Sequence, residues 1–175
     1  MVKNKILLTG KPGIGKTTVI KKVLQMLGDK AIGFYTEDYR DLKNHKRKGF
    51  KVITYDGKEG ILADVDFKSD YRVGKYGVNI KQFERLAIPI LEKALKEKDK
   101  IVVIDEIGKM EFFSEKFKNL IKQIMENPEI KVIATISKKD FHPLIKEIKN
   151  LADVELIEVT WENRDILPQE IISII

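Results

Sequence analysis

The sequence predicts an α/β fold, a mainly parallel sheet with helices on both faces. Three observations carry this. Short apolar runs alternate with segments whose apolar residues recur at three and four. The runs Ile101-Val102-Val103-Ile104 and Val132-Ile133-Ala134-Thr135-Ile136 are almost continuously apolar, as strands buried on both faces must be. A glycine-rich stretch, Gly10 to Thr17, joins the first apolar run to the first helical pattern. The 175 residues suit one domain, 1–175, with a substantial core.

Residues 4–9 read as the first strand. Val19, Ile20, Val23, Leu24 and Leu27 mark a helix over about 16–27, which Gly28-Asp29 ends. Ala31–Thr36 is a second strand, and Glu37–Lys48 a polar, basic connection. Phe50–Tyr55 and Ile61–Val65 bracket an Asp56-Gly57 turn, so a hairpin is expected there. Arg72–Val78 reads as a further small hairpin or loop, which makes about 49–79 a small β-rich insert. Ile80 to Leu95 repeats as a long amphipathic helix, with Pro89 expected to kink or divide it. Buried strands at 101–104 and 132–136 flank a helix marked by Phe117, Leu120, Ile121, Ile124 and Met125. A helix at about 141–149, a strand at 154–159 and a closing helix from Leu167, with Pro168 in its first turn, complete the chain.

Gly10-Lys11-Pro12-Gly13-Ile14-Gly15-Lys16-Thr17 fits the phosphate-loop pattern G-x-x-x-x-G-K-[ST], between the strand and helix that the pattern requires. Glycines let the backbone turn sharply and bring N–H groups against an anion, and the helix start adds its positive dipole end. Lys16 is placed for the outer phosphates, and the Thr17 hydroxyl for Mg²⁺; Thr18 adjoins them. Across the sheet, the strand at 101–104 ends in Asp105-Glu106. The first carboxylate suits the Mg²⁺ shell, and the second suits activation of an attacking water. Together these features predict a P-loop NTPase fold. A nucleotide kinase is the competing enzyme class, although only five arginines exist to furnish the arginine-rich lid such enzymes carry.

Ile104-Asp105-Glu106-Ile107-Gly108-Lys109-Met110-Glu111 resembles the signature of a family of small P-loop nucleoside triphosphatases first described in hyperthermophiles, which includes the human cancer-related nucleoside triphosphatase. Gly33–Glu37, Arg72–Tyr76 and Thr160, Glu162, Asn163 and Arg164 resemble further motifs of that family. The resemblance implies Mg²⁺-dependent hydrolysis of ATP, GTP and other nucleoside triphosphates to diphosphate and phosphate, slowly and with little base selectivity. It also raises the case for Gly108 and Lys109 as nucleotide contacts. Lys109 then either stabilises charge on the transferring group or is one more surface lysine. Arg72 is either a finger from a glycine-containing loop or solvated. Asn163 and Arg164 either contact the base, by edge and by stacking, or form a helix cap and a surface pair. Thr135 either senses the terminal phosphate or is a strand residue, and Glu111 is either structural or paired with a base.

The net charge of +6 attracts anions without choosing between nucleotides and nucleic acid. Lys43, His45, Lys46, Arg47, Lys48 and Lys51, with Phe50 interleaved, leave a nucleotide-dependent RNA- or DNA-binding switch as a third reading. There are no cysteines, so disulfides and thiolate metal sites are excluded. His45 and His142 lack metal-ligand spacing and are expected at the surface. No apolar run approaches the ~20 residues that cross a bilayer, and residues 1–5 lead straight into the first strand. A cytoplasmic monomer without a membrane partner is expected. Abundant Lys, Glu and Ile without Cys fits a hyperthermophile composition.

Overall fold

The structure, a computed structural model, describes residues 2–175. In chain order the elements are β1 (Lys5–Thr9), α1 (Lys16–Leu27), β2 (Ala31–Arg40), β3 (Arg47–Thr54), β4 (Glu59–Asp64), β5 (Arg72–Val73), β6 (Tyr76–Val78), α2 (Ile80–Lys96), β7 (Ile101–Ile107), α3 (Glu115–Glu126), β8 (Lys131–Ile136), α4 (Pro143–Lys149), β9 (Val154–Glu158) and α5 (Leu167–Ile174). The strands form one sheet in the order β5-β6-β4-β3-β2-β7-β8-β1-β9. Its β2-β7-β8-β1-β9 half is parallel. Among the described residues no helix is long and apolar enough to cross a membrane.

Strand alternation explains the continuous apolar runs. Leu7, Val102, Ile104, Val132 and Ala134 face one core with α2, α3 and α4, while Ile6, Leu8, Val103 and Ile133 face the other with α1 and α5. Both sides of the parallel half are covered, so most positions on either face are apolar, and the buried polar exceptions, Lys5, Asp105 and Thr135, are all hydrogen-bonded.

Two expectations need correction. Half of the 37–48 connection is strand: β2 runs to Arg40 and β3 starts at Arg47, leaving 41–46 as the turn. Charged side chains hid this from a propensity reading, but cross-strand pairing supports it, with Glu37 opposite Lys51 and Asp38 opposite Phe50. As a result the β-rich insert is no appendage. It continues the main sheet as an antiparallel extension, and Leu62, Ala63 and Val78 enter the same core as α2. The second correction concerns one of the two outcomes expected at Pro89: α2 is not divided there and runs unbroken from Ile80 to Lys96. Pro89 is exposed, on the face opposite Phe83, Leu86, Ile90, Leu91 and Ala94. The carbonyl one turn earlier, freed by the missing N–H, therefore has access to water.

Lys5 is fully buried and went unremarked as a sequence feature. Its ammonium donates to the Asn127 carbonyl (2.8 Å), the Ile130 carbonyl (3.0 Å) and Asp153 Oδ2 (3.0 Å). It thus ties the start of β1 to the loops that lead into β8 and β9. Lys5→Ala would strand a largely buried carboxylate and two backbone carbonyls, and is expected to cost roughly 3 kcal/mol or more. Chemical denaturation checks this; a loss below about 0.5 kcal/mol, the range of a neutral surface change, would show that the anchor contributes nothing.

Candidate active site

The loop between β1 and α1 closes tightly because its glycines adopt positive φ: 78° at Gly13 and 113° at Gly15. Gly15 is the N-cap of α1, and no side chain caps that helix. The first-turn N–H groups therefore lie open to a cleft with the positive dipole end behind them. Lys16 folds across the loop, its ammonium donating to the Gly10 carbonyl at 2.6 Å and more weakly to that of Lys11 at 3.4 Å. Ile14 turns its side chain into the core.

Asp105 comes from β7, two strands from β1. It is 3% exposed. The Thr17 hydroxyl donates to its Oδ2 at 2.8 Å, and the fully buried Thr135 hydroxyl to its Oδ1 at 2.6 Å. Thr135 therefore orients Asp105, a third role beside the two its strand-end position suggested. Burial pushes the Asp105 carboxyl above its ordinary range. The Thr135 and Thr17 hydroxyls, the Thr36 backbone N–H and the Lys16 charge pull the other way.

Successive strand residues should point apart, yet Asp105 and Glu106 line the same cleft. The register explains it. Ile104 pairs with Ala134 but Ile107 with Ile136, so β7 carries one extra residue there, and the alternation breaks. The peptide between Asp105 and Glu106 is cis. The Glu106 side chain lies over Gly108, where a Cβ would come within 2.6 Å of Glu106 Oε1. Gly108 thus makes room for the Glu106 carboxylate. Burial, then the Asp105 charge, raises the Glu106 pKa, with Lys16 opposing.

The cleft has a volume of about 560 Å³. Pro12, Gly13, Gly15, Lys16, Thr17 and Thr18 form one wall, and Asp105 and Glu106 sit at its floor. The far wall is formed by Lys21, Thr36, Glu37, Asp38, Arg47 and Phe50; Thr36 and Glu37 fall in a motif of the resemblance and Arg47 and Phe50 in the basic run, but the sequence did not join them to this site. Lys21 pairs with Glu37 at 2.5 Å, and Arg47 Nε with Asp38 at 3.0 Å, with the Arg47 guanidinium over Phe50. Lys21 follows Thr17 by four residues, so helical spacing was a usable signal for it. Nothing local signals Arg47, which depends on the length of β2 and β3.

The other expected contacts distribute unevenly. Lys109 is exposed and lies outside the cleft lining. Arg72 donates to the Phe67 and Lys75 carbonyls of its own hairpin. Asn163 and Arg164 stand on the opposite flank of α1, beyond β9, where Arg164 Nη1 donates to the Ile14 carbonyl at 3.2 Å. The basic run is divided. Residues 43–46 are exposed, while Arg47, Lys48 and Lys51 pair with Asp38, Asp66 and Glu59. His142, expected as a bare surface residue, caps α4 by accepting the Leu144 N–H at 3.0 Å.

Glu111 is buried behind Glu106 and has no salt-bridge partner among the described residues. Burial, then the Glu106 and Asp105 charges, drives its pKa well up, against backbone N–H bonds from Glu111 itself and Gly108. A carboxyl whose folded pKa is raised favours the fold below the ordinary Glu range, and loses that advantage as pH rises through the raised value. Glu111→Gln is therefore expected to raise the melting temperature at pH 8 and to change it little near pH 4. An equal shift at both pH values would place the effect in packing instead.

The oxygen-only set of Thr17 and Asp105 fits a hard divalent cation such as Mg²⁺, which takes few protein ligands and keeps waters and phosphate oxygens. Among the described residues no cluster of three His, Cys, Asp or Glu competes as a metal site.

The sequence model of a family described as NTPase matches residues 5–172. The nucleoside-triphosphatase THEP1 of Aquifex aeolicus is 53% identical over 175 residues, covering 98% of both chains. The human cancer-related nucleoside-triphosphatase is 39% identical over 181 residues, covering 96% of this chain and 94% of that one. The crystal structure of the Aquifex THEP1 superposes with a TM-score of 0.89 over 97% of each chain. The solution structure of the human protein gives 0.79 over 97% of this chain and 96% of that one.

Proposed function

The chain belongs to this NTPase family and hydrolyses nucleoside triphosphates, and from that premise we propose a Mg²⁺-dependent reaction with broad tolerance of ATP, GTP and other bases. The observation that carries the reading is the convergence of the uncapped α1 start, Lys16, Thr17, Asp105 and Glu106 on one cleft. Gly13, Gly15, Lys16, Thr17 and Thr18 line it as the polyphosphate cradle. Thr17 and Asp105 would hold Mg²⁺, which neutralises phosphate charge when bound. Thr135 keeps Asp105 turned towards Thr17. Glu106 takes a proton from the attacking water or orients it, and its part-buried carboxylate over Gly108 suits that role. Arg47 and Lys21 bring positive charge to the far wall; because they line the cleft and Lys109 does not, they are the better placed partners for the terminal phosphate.

The test is phosphate release from ATP, GTP, CTP and UTP with Mg²⁺ and no acceptor. Turnover of all four, abolished by EDTA and restored by Mg²⁺, is the expected result. Turnover that requires an added nucleoside or monophosphate would replace this reading with a kinase. Salt-sensitive RNA retention that is lost on replacing Lys46, Arg47 and Lys48 by Ala would favour the nucleic-acid switch.

A further inference from the structure

Three consecutive residues at the end of β2 each hold a different part of the cleft. The Thr36 backbone N–H donates to Asp105. Glu37 pairs with Lys21 of α1 at 2.5 Å, which ties the strand to the helix that starts in the phosphate loop. Asp38 accepts from Arg47 Nε at 3.0 Å. The strand end thus links the cradle, the Asp105 carboxylate and a guanidinium on the far wall.

Arg47 reaches that wall through an irregularity. Tyr39 pairs with Gly49 but Arg40 with Arg47, so β3 carries Lys48 as an extra residue. Residues three apart on a regular strand face opposite sides, yet with this bulge Arg47 and Phe50 line the same cleft. A tight turn closes the backbone that carries Arg47. The Asp41 N–H donates to the Lys46 carbonyl at 2.8 Å, and the His45 N–H to the Asp41 carbonyl at 2.9 Å. The guanidinium is then held on two sides. Asp38 takes its Nε–H, and the centre of the Phe50 ring lies 5.4 Å from its Cζ. Phe50 is braced in turn by an edge contact with Tyr76 of β6, 5.2 Å between ring centres. Among the described residues neither Nη group of Arg47 has a hydrogen-bond partner. What stays free is the planar fork, the part of arginine that matches phosphoryl oxygens. Lys21 differs, because its ammonium is engaged by Glu37.

We propose that Asp38 is a positioning residue for the reaction: it presents the Arg47 fork, in cis, to the charge that develops on the transferring phosphoryl group, with Phe50 and Tyr76 bracing it. The proposal rests on the phosphate-cradle reading and deepens it. Of the two far-wall cations, Arg47 acts on the transition state and Lys21 fastens the strand. A guanidinium that is already oriented needs no reorganisation when that charge appears. The side chains of Arg47 and Asp38 are 45% and 36% exposed, so their pair adds little to the stability of the fold and its variants should fold.

The test reads kcat against KM, with ATP and Mg²⁺. Arg47→Ala should lower kcat by roughly 100-fold or more, the scale of a lost transition-state donor, with KM within about threefold of wild type. Arg47→Lys should not recover the rate, since a point charge lacks the fork. Free guanidinium ion added to Arg47→Ala should recover part of it. Asp38→Ala should lower kcat by roughly tenfold, as misplacing a catalytic group does, with KM unchanged. Asp38→Asn, whose amide oxygen still accepts the Nε–H, should regain most of that loss. The double variant Asp38→Ala/Arg47→Ala should be no slower than Arg47→Ala, because Asp38 acts only through Arg47. A kcat near wild type in Arg47→Ala overturns the proposal. So does a loss in the double variant equal to the product of the two single losses, or a raised KM at unchanged kcat. Lys16→Ala separates the two readings. If only the Asp38–Arg47 assignment is wrong, ATP binding still falls in Lys16→Ala; if the cradle is wrong, ATP binds Lys16→Ala as it binds wild type.

Discussion

Glu106→Gln is expected to keep nucleotide affinity within about twofold and to cut turnover by roughly 100-fold, the scale of losing a general base. Gln copies the shape that rests over Gly108 and still fits that space. It removes the negative charge and the basicity, which are the properties the reaction needs. The cradle, Lys16 and the Thr17–Asp105 pair are untouched, so binding has no reason to change. Removing one of two close carboxylates also relieves Asp105 of its nearest repulsion, which would if anything favour the cation. Single-turnover phosphate release, with affinity measured separately, decides the matter. Turnover near wild type would take Glu106 out of the mechanism and leave water positioning to the far wall.

Lys16→Ala is expected to weaken nucleotide binding by roughly 10–100-fold, the worth of a charge-assisted hydrogen bond, and to lower turnover by about 100-fold or more, as for lost electrostatic stabilisation. Lys16 is the cation that the loop itself carries into the cleft, tethered to Gly10 at 2.6 Å. A phosphate oxygen offers the ammonium a charged partner in place of a neutral carbonyl, so the move on binding is favourable. Lys16→Arg should not rescue, because the larger planar guanidinium does not fit where the Gly10 and Lys11 carbonyls receive a compact ammonium. An Ala variant that binds and turns over ATP like wild type would remove the cradle from the account.

Some of the molecule could be read without a structure, and the residues show why. The phosphate loop depends on glycine conformations and on the strand and helix next to it, all within Lys5–Leu27, so local sequence carries it. The buried parallel strands are equally legible, since a strand covered on both faces is apolar at nearly every position. Asp105 and Glu106 could be found as the polar end of such a strand. Their convergence on one cleft could not, because it depends on the extra residue in β7 against β8.

What the sequence by itself determined was the α/β class, the anion cradle and the carboxylate pair opposite it, because each is encoded by spacing along a short stretch. The tertiary structure alone decided which distant side chains meet there. Thr135 reaches Asp105 across 30 residues, and Arg164 meets Ile14 across 150. Arg47 enters the cleft only because charged residues pair into a long antiparallel extension of the sheet. Periodicity states which face of an element is buried; the order of the strands, set by packing the whole chain at once, states what that face is buried against.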